Sequence, residues 1–284
     1  KDISKNETQE VTAQIDYTNS INLQNDKLNI IYFYVGQADS TFVKLNNSTM
    51  LIDAGNNEDG KMIVNFLNQS NISKIDYLVA THADEDHIGG IDDILNSVKV
   101  NQLLIPTVGS SGSDYKNAIE AAKNNNVEIK NPVRGDKFNL DSANIEIMSA
   151  LEGEDVSDND SSIVMQMNYN TTKYLFMGDA EKEVENSRQW QEVDVLKVGH
   201  HGSNSSSSEK LLEQTNPKYS IIEVGKNNSY NLPNSKALTR LKNINTKILR
   251  TDMANGEEAG SFWLTSNGVE IDIKAVNINL DGNQ

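Results

Sequence analysis

Four histidines occur in the 284 residues, and they stand in two groups, His82 with His87 and His200 with His201. The first pair bounds the stretch Thr81-His82-Ala83-Asp84-Glu85-Asp86-His87-Ile88-Gly89-Gly90, where His82, Asp84, Asp86 and His87 offer four metal ligands within six residues. Carboxylates packed this densely repel one another unless a cation compensates them. Imidazole and carboxylate ligands suit Zn, Mn or Fe. Downstream, Gly178-Asp179 and Gly199-His200-His201-Gly202-Ser203 add further donors. The set His82, Asp84, Asp86, His87, Asp179 and His200 is large enough for two metals and generous for one. Two metals about 3.5–4 Å apart convert water to hydroxide near neutral pH and stabilise charge on the attacked centre, which gives hydrolysis without a protein nucleophile.

Each group also has a plainer reading. The Asp residues of the first loop can cap a following helix, but capping does not need two flanking histidines. Asp53-Ala54-Gly55 reads equally as an Asp turn or as a support behind the ligands. Gly178-Asp179 alone is a common turn, and its weight comes from its place between the histidine groups. His200 and His201 leave a strand on adjacent positions, whose side chains point to opposite faces, so core or surface histidines are the alternative. Ser203–Ser208 reads as a flexible loop with an N-cap for the next helix rather than as a phosphate-contacting loop. Other chemistries find no support: the chain has no cysteine, no Gly-x-Ser-x-Gly elbow, no Gly-rich phosphate loop with Lys, and no spare histidine for a serine triad.

The elements that must position these groups are legible as apolar runs. Strands are expected at Leu28–Val35, Ser40–Leu45, Thr49–Ile52, Ile75–Ala80, Val98–Ile105, Val127–Lys130, Asn144–Ser149, Ile163–Tyr169, Lys173–Met177, Val193–Val198, Tyr219–Val224, Thr246–Arg250, Gly260–Thr265 and Val269–Ile273. Helices are expected at Lys61–Leu67, Ile91–Val98, Tyr115–Asn124, Glu181–Trp190, Ser208–Gln214 and Ser235–Asn243. Asp53, His82, Asp179 and His200 each fall at or just past a strand's C-terminal end, the edge where layered α/β folds build sites. The polar residues 1–28 read as a tether with one short strand near Val11–Tyr17, and 29–284 as one domain. The formal net charge of −16 disfavours nucleic acid and anionic membrane as partners over most of the surface. No apolar run approaches the roughly 18 residues of a membrane span. The chain opens on Lys1, which suggests a processed chain whose signal peptide is gone and an extracellular or cell-surface location, with the cytoplasm as alternative.

These motifs together resemble the metallo-β-lactamase superfamily, in particular the soluble domain of the ComEC/Rec2 competence proteins. His82-Ala83-Asp84-Glu85-Asp86-His87 is similar to the superfamily's His-x-His-x-Asp-His loop, with Asp84 in the second His position as in the competence group. Leu51–Gly55, Phe176–Asp179 and Val195–Ser203 resemble its other motifs, and matching segments run from about Asn29 to Ile273. The resemblance implies an αββα sandwich of α/β class with the site along one edge. It implies His82 and Asp84 on a first metal, Asp86, His87 and His200 on a second, Asp179 bridging, and His201 touching substrate or shuttling a proton. The cofactor expected is a pair of divalent ions, Zn or Mn. Two departures stand out. Asp158, Asn159 and Asp160 occupy the region of the superfamily's middle His, so the first metal is expected to be held more weakly. Leu232 stands where competence proteins carry a His. The membrane channel of those proteins is absent from this sequence. The expectation is a metal-dependent hydrolase with Asp86 and His201 in catalysis, acting on phosphodiesters, either small molecules or nucleic acid. A lactonase or amidase of the same fold, or a non-catalytic metal-binding module, is the alternative.

Overall fold

A computed structural model describes residues 16–18 and 20–278. The first sheet takes β1 (Tyr17–Thr18), β2 (Leu28–Tyr32), β3 (Thr41–Leu45), β4 (Ser48–Ile52), β5 (Lys74–Val79), β6 (Lys99–Leu104) and β7 (Glu128–Lys130). The second takes β8 (Lys137–Leu140), β9 (Ala143–Ser149), β10 (Val164–Tyr169), β11 (Thr172–Phe176), β12 (Val195–Lys197), β13 (Tyr219–Ile222) and β14 (Lys247–Arg250). The chain then returns to the first sheet with β15 (Ser261–Ser266) and β16 (Ile271–Val276). The spatial orders are β1-β16-β15-β2-β3-β4-β5-β6-β7 and β14-β13-β12-β11-β10-β9-β8.

Strands β4 to β7 run parallel, as do β11 to β14. Parallel neighbours need crossovers over a sheet face. The first sheet's crossovers carry α1 (Asp59–Gln69), the short α2 (Glu85–Ile88), α3 (Ile91–Ser97) and α4 (Ser113–Asn124). Those of the second carry α5 (Lys182–Asn186), α6 (Glu209–Thr215) and α7 (Ser235–Asn243). Period-two alternation sorts the strand side chains into layers. Ile30 and Tyr32 of β2 join Met165 and Phe176 of the second sheet in the core between sheets, whereas Ile31 and Phe33 face Ile63 and Phe66 of α1. Leu175 and Leu196 face Leu211 and Leu241 under the helices of the other side. The result is the expected αββα sandwich, and the C-terminal ends of both parallel sets gather at one edge.

Local chemistry holds the first loop against that edge. A Cβ on Gly90 would run into the Ala54 carbonyl and Gly60, and one on Gly60 would come within 2.8 Å of the Gly90 carbonyl. Only glycines let α1 and α3 start this close together. Ala54 N then donates to the His87 carbonyl at 2.9 Å.

Several elements differ from expectation. Of the expected tether, residues 1–15 and 19 lie outside the described residues, and with them most of the short strand expected near Val11–Tyr17; Tyr17–Thr18 pairs parallel with β16, and Ile21 and Leu23 pack against the helix-side core. Strand β8 was not anticipated, because Lys137-Phe138-Asn139-Leu140 carries apolar side chains only at alternate positions in a short run. Helix α5 stops at Asn186 instead of running to Trp190. The chain bends there so that Trp190 is buried and its indole N–H donates to the Glu185 carbonyl at 2.7 Å.

Candidate metal centre

His82 and His87 leave the end of β5 on a loop that returns through α2, and both rings are fully buried. Asp53, past the end of β4, orders this loop with one carboxylate. It accepts from Thr81 N at 2.7 Å, from Thr81 Oγ1 at 2.7 Å and from His87 Nδ1 at 2.8 Å. The sequence left Asp53 between turn and support, and the structure places it behind His87. Asp179 follows β11 and is 2 % exposed, its backbone N donating to Ser162 Oγ at 3.0 Å. His200 and His201 follow β12 with left-handed φ of 48° and 50°. Such φ costs a non-glycine residue roughly 1–3 kcal/mol. It lets adjacent rings face one site, with centroids 6.1 Å apart, which an extended strand forbids.

All four histidines have Nδ1 beside a protein oxygen. His87 Nδ1 faces Asp53, and His82 Nδ1 lies 3.1 Å from Thr81 Oγ1. His201 Nδ1 donates to the Glu223 carbonyl at 2.9 Å, and His200 Nδ1 to Glu181 Oε1 at 3.0 Å. With Nδ1 so engaged, Nε2 carries the free lone pair of the neutral ring. Three of the four Nε2 atoms face Asp179. His87 Nε2 is 3.3 Å from its Oδ1, and the Nε2 atoms of His201 and His200 are 3.6 and 3.8 Å from its Oδ2. His201 Nε2 also lies 3.1 Å from Asp86 Oδ2. His82 Nε2, His87 Nε2 and Asp179 Oδ1 are buried with no hydrogen-bond partner among the described residues. Buried polar atoms without partners are costly, and three of them converging is what a bound cation relieves.

Two groups bring their ligand atoms within 4.8 Å of one another around this point: His82, His87 and Asp179, and Asp86, His87 and His201. Either can hold a metal ion. A third group, Asp39, Asp53 and His87, lies on the Nδ1 side. There Lys197 Nζ already pairs with Asp39 and Nδ1 with Asp53, so it is supporting structure.

Three sequence-based placements change. His201, expected beside the metals, lies inside a ligand group, and His200, expected as a ligand, stands at the rim with a side chain 26 % exposed. The left-handed turn decides this, because it swings His201 inward between Asp39 and Asp86. Asp84 likewise stands outside both groups: it is the residue before α2, 46 % exposed, with Oδ2 3.5 Å from His82 Nε2. Asp158 and Asp160 join neither group, and Asp160 Oδ1 accepts from Glu181 N at 2.9 Å. Leu232 packs into the outer core of the second sheet.

The field of the site favours positive charge. Burial pushes the His87 ring down, but Asp179, Asp53 and Asp86 outweigh it and hold the ring well above the ordinary histidine range. His201 is raised in the same way by Asp179 and Asp39 against its burial. Burial pushes the Asp86 and Asp179 carboxyls up, and the neighbouring imidazoles reverse this and bring both below the usual range. Sequence reasoning missed Asp39, Lys197, Glu223 and Glu181. A charged Lys inside the apolar run Val195–Val198 was the signal for one of them.

Residues 33–225 match the metallo-beta-lactamase superfamily. Among curated proteins, the chain is 34 % identical over 245 residues to ComE operon protein 3 of Bacillus subtilis, covering 77 % of this chain and 31 % of that protein. It is 29 % identical over 235 residues to Recombination protein 2 of Haemophilus influenzae, covering 80 % and 28 %. The chain thus spans under a third of the length of these relatives. Among solved structures, YhfI of Bacillus subtilis, a metallo-beta-lactamase fold protein, aligns with TM-score 0.56 at 7 % identity over 83 % of this chain and 99 % of its own. CmlA of Streptomyces venezuelae, a diiron beta-hydroxylase, aligns with TM-score 0.55 at 13 % identity over 80 % and 53 %. These structural likenesses concern the fold alone. The match over more than half the chain, which the sandwich with its edge site agrees with, decides the family: the chain belongs to the metallo-β-lactamase superfamily.

Proposed function

We propose that the chain is a metal-dependent hydrolase of phosphodiesters that binds two divalent ions, Zn or Mn. The observation that carries this is the convergence of His82 Nε2, His87 Nε2 and Asp179 Oδ1, buried and without hydrogen-bond partners among the described residues, while Nδ1 of every histidine is engaged from behind. His82, His87 and Asp179 would hold one ion, with Asp84 beside it. Asp86 and His201 would hold the second, sharing His87's side of the site. Asp179, whose two oxygens face different histidines, would lie between them. Bound there, the ions would lower the pKa of water and draw charge from the attacked centre.

The remaining steps belong to the chain itself. Asp84, Asp86, Glu181 and His200 form the open side, since these side chains are 46 %, 31 %, 28 % and 26 % exposed. Three of the four are acidic, so an anionic substrate can approach only when cations sit behind them. His200 is oriented by Glu181 with Nε2 toward the site, and it takes the substrate-facing role that the family resemblance implied for His201. Asp86 and His201 serve by holding their ion rather than by moving protons.

The name of the recombination relative favours nucleic acid as the phosphodiester, while the net charge of −16 favours a small one. The test is turnover of bis(p-nitrophenyl) phosphate, single-stranded and double-stranded DNA, a lactone and a β-lactam, each with added Mn²⁺ or Zn²⁺. Phosphodiester cleavage that disappears in Asp86→Ala is the expected result. Cleavage of only the lactone or β-lactam would replace the substrate class. No turnover despite bound metal would favour a binding module.

A further inference from the structure

Behind the candidate ligands lies a buried charge cluster that none of the roles above uses. Asp39, Lys197 and Glu223 are 3 %, 3 % and 0 % exposed. They come from three places: the loop after β2, the strand β12, and the end of β13. Asp39 touches three of the motifs that build the site, those of Gly55, Asp86 and His201. Its backbone N donates to the Asp86 carbonyl at 3.0 Å, and its carbonyl accepts from Gly55 N at 3.0 Å. Its Oδ1 is 3.1 Å from His201 Nδ1, and its Oδ2 pairs with Lys197 Nζ. Lys197 Nζ also donates to the Val198 carbonyl at 3.1 Å and lies 3.9 Å from Glu223 Oε2. The Glu223 carboxylate accepts from Ser40 N at 3.2 Å and Thr41 Oγ1 at 3.0 Å. Its backbone carbonyl accepts from His201 Nδ1 at 2.9 Å.

We infer that Asp39 and Lys197 are positioning residues for His201: they fix its Nδ1–H tautomer and aim Nε2 at the ion shared with Asp86. The Glu223 carbonyl accepts from Nδ1 and the Asp39 carboxylate lies beside the same nitrogen, so Nδ1 carries a hydrogen and Nε2 is the nitrogen whose lone pair is free for a cation in the neutral ring. A buried Asp39 carboxylate can sit beside the ring only if its own charge is compensated from elsewhere, and Lys197 is the cation that faces it. Lys197 is on the second sheet and Asp39 in the loop between β2 and β3 of the first, so the pair also joins the two halves of the site across the sandwich. His201 needs such support, because its left-handed backbone is not a conformation that would hold the ring by itself.

The inference rests on the metal-binding reading above, and its test separates the two. Metal-free protein is titrated with Zn²⁺ by calorimetry, and metal-free crystal structures report the His201 ring. Lys197→Met should weaken one of two Zn²⁺ ions by about 10- to 100-fold and leave the ion at His82 unchanged. The double variant Asp39→Asn with Lys197→Met removes both charges, so it should recover much of any thermal stability lost in the single variant. It should still show the weakened ion and a displaced or rotated ring. If Lys197→Met fails to fold, the double variant carries the test. A double variant that binds both ions as the parent does, with the ring in place, would overturn the proposal and leave the pair a structural ion pair only. A parent that takes up no Zn²⁺ refutes the metal reading instead, and the ring position in the crystals still decides the positioning role.

Discussion

His200 and His201 are chemically identical neighbours with opposite surroundings. His201 is buried between the Glu223 carbonyl, Asp39 and Asp86, while His200 is held by Glu181 at the open side. Asn tolerates the left-handed backbone that both positions adopt, so substitution there tests the ring without adding strain. His201→Asn is expected to lose one of two bound ions by metal analysis. His200→Asn is expected to keep both ions and to lower phosphodiester turnover by about 10²-fold, the scale of a lost proton-transfer or orienting group. Loss of metal from His200→Asn would return that residue to the ligand set that the sequence suggested.

At the scale of elements, α1 shows how the edge is built and what it costs. Asp59 opens this helix and is buried beneath the Asp53–Gly55 turn, accepting from Asn56 N at 2.8 Å. Burial outweighs those hydrogen bonds and pushes its carboxyl up to about 6 from 3.8. The native state therefore binds a proton more tightly than the unfolded chain. That contribution to stability is fully present below pH 3.8 and is lost as pH rises through about 6. Asp59→Asn should flatten the pH dependence of the urea midpoint between about pH 4 and pH 6, where the parent should lose stability relative to the variant. A variant whose profile runs parallel to the parent's would mean that Asp59 titrates normally. The strand ends behave differently: the parallel sets β4–β6 and β11–β13 bring Asp53, His82, Asp179 and His201 to one edge by topology alone.

For the whole molecule, the balance of charge governs approach to the site. A formal charge of −16 repels an anionic phosphodiester at long range, and the open side adds Asp84, Asp86 and Glu181. The Debye length shrinks from about 30 Å at 0.01 M salt to about 8 Å at 0.15 M. For the metal-loaded protein, kcat/KM toward bis(p-nitrophenyl) phosphate is expected to rise over that range. A fall would show that the bound ions reverse the field well beyond the mouth.

The sequence by itself determined the fold class and the neighbourhood of the site. Period-two apolar runs separated by helical ones define the layers, and the donor-rich loop at His82–His87 is dense enough to be read without a structure. The strands β3, β4, β6, β10 and β11 lie within a residue or two of where their apolar runs place them. Asp179 was legible only through its place between the histidine groups. What the tertiary structure alone decided is which side chain of each motif turns inward. The choice between His200 and His201 depends on consecutive left-handed residues, which no local propensity signals in a His-His pair. The retreat of Asp84 to the rim follows from its position just before α2, a helix too short to leave a periodic pattern. Asp39, Lys197 and Glu223 are far apart in the chain and became one cluster only when the two sheets packed face to face. Long-range contacts between sheets are set by packing, and a single sequence carries no direct record of them.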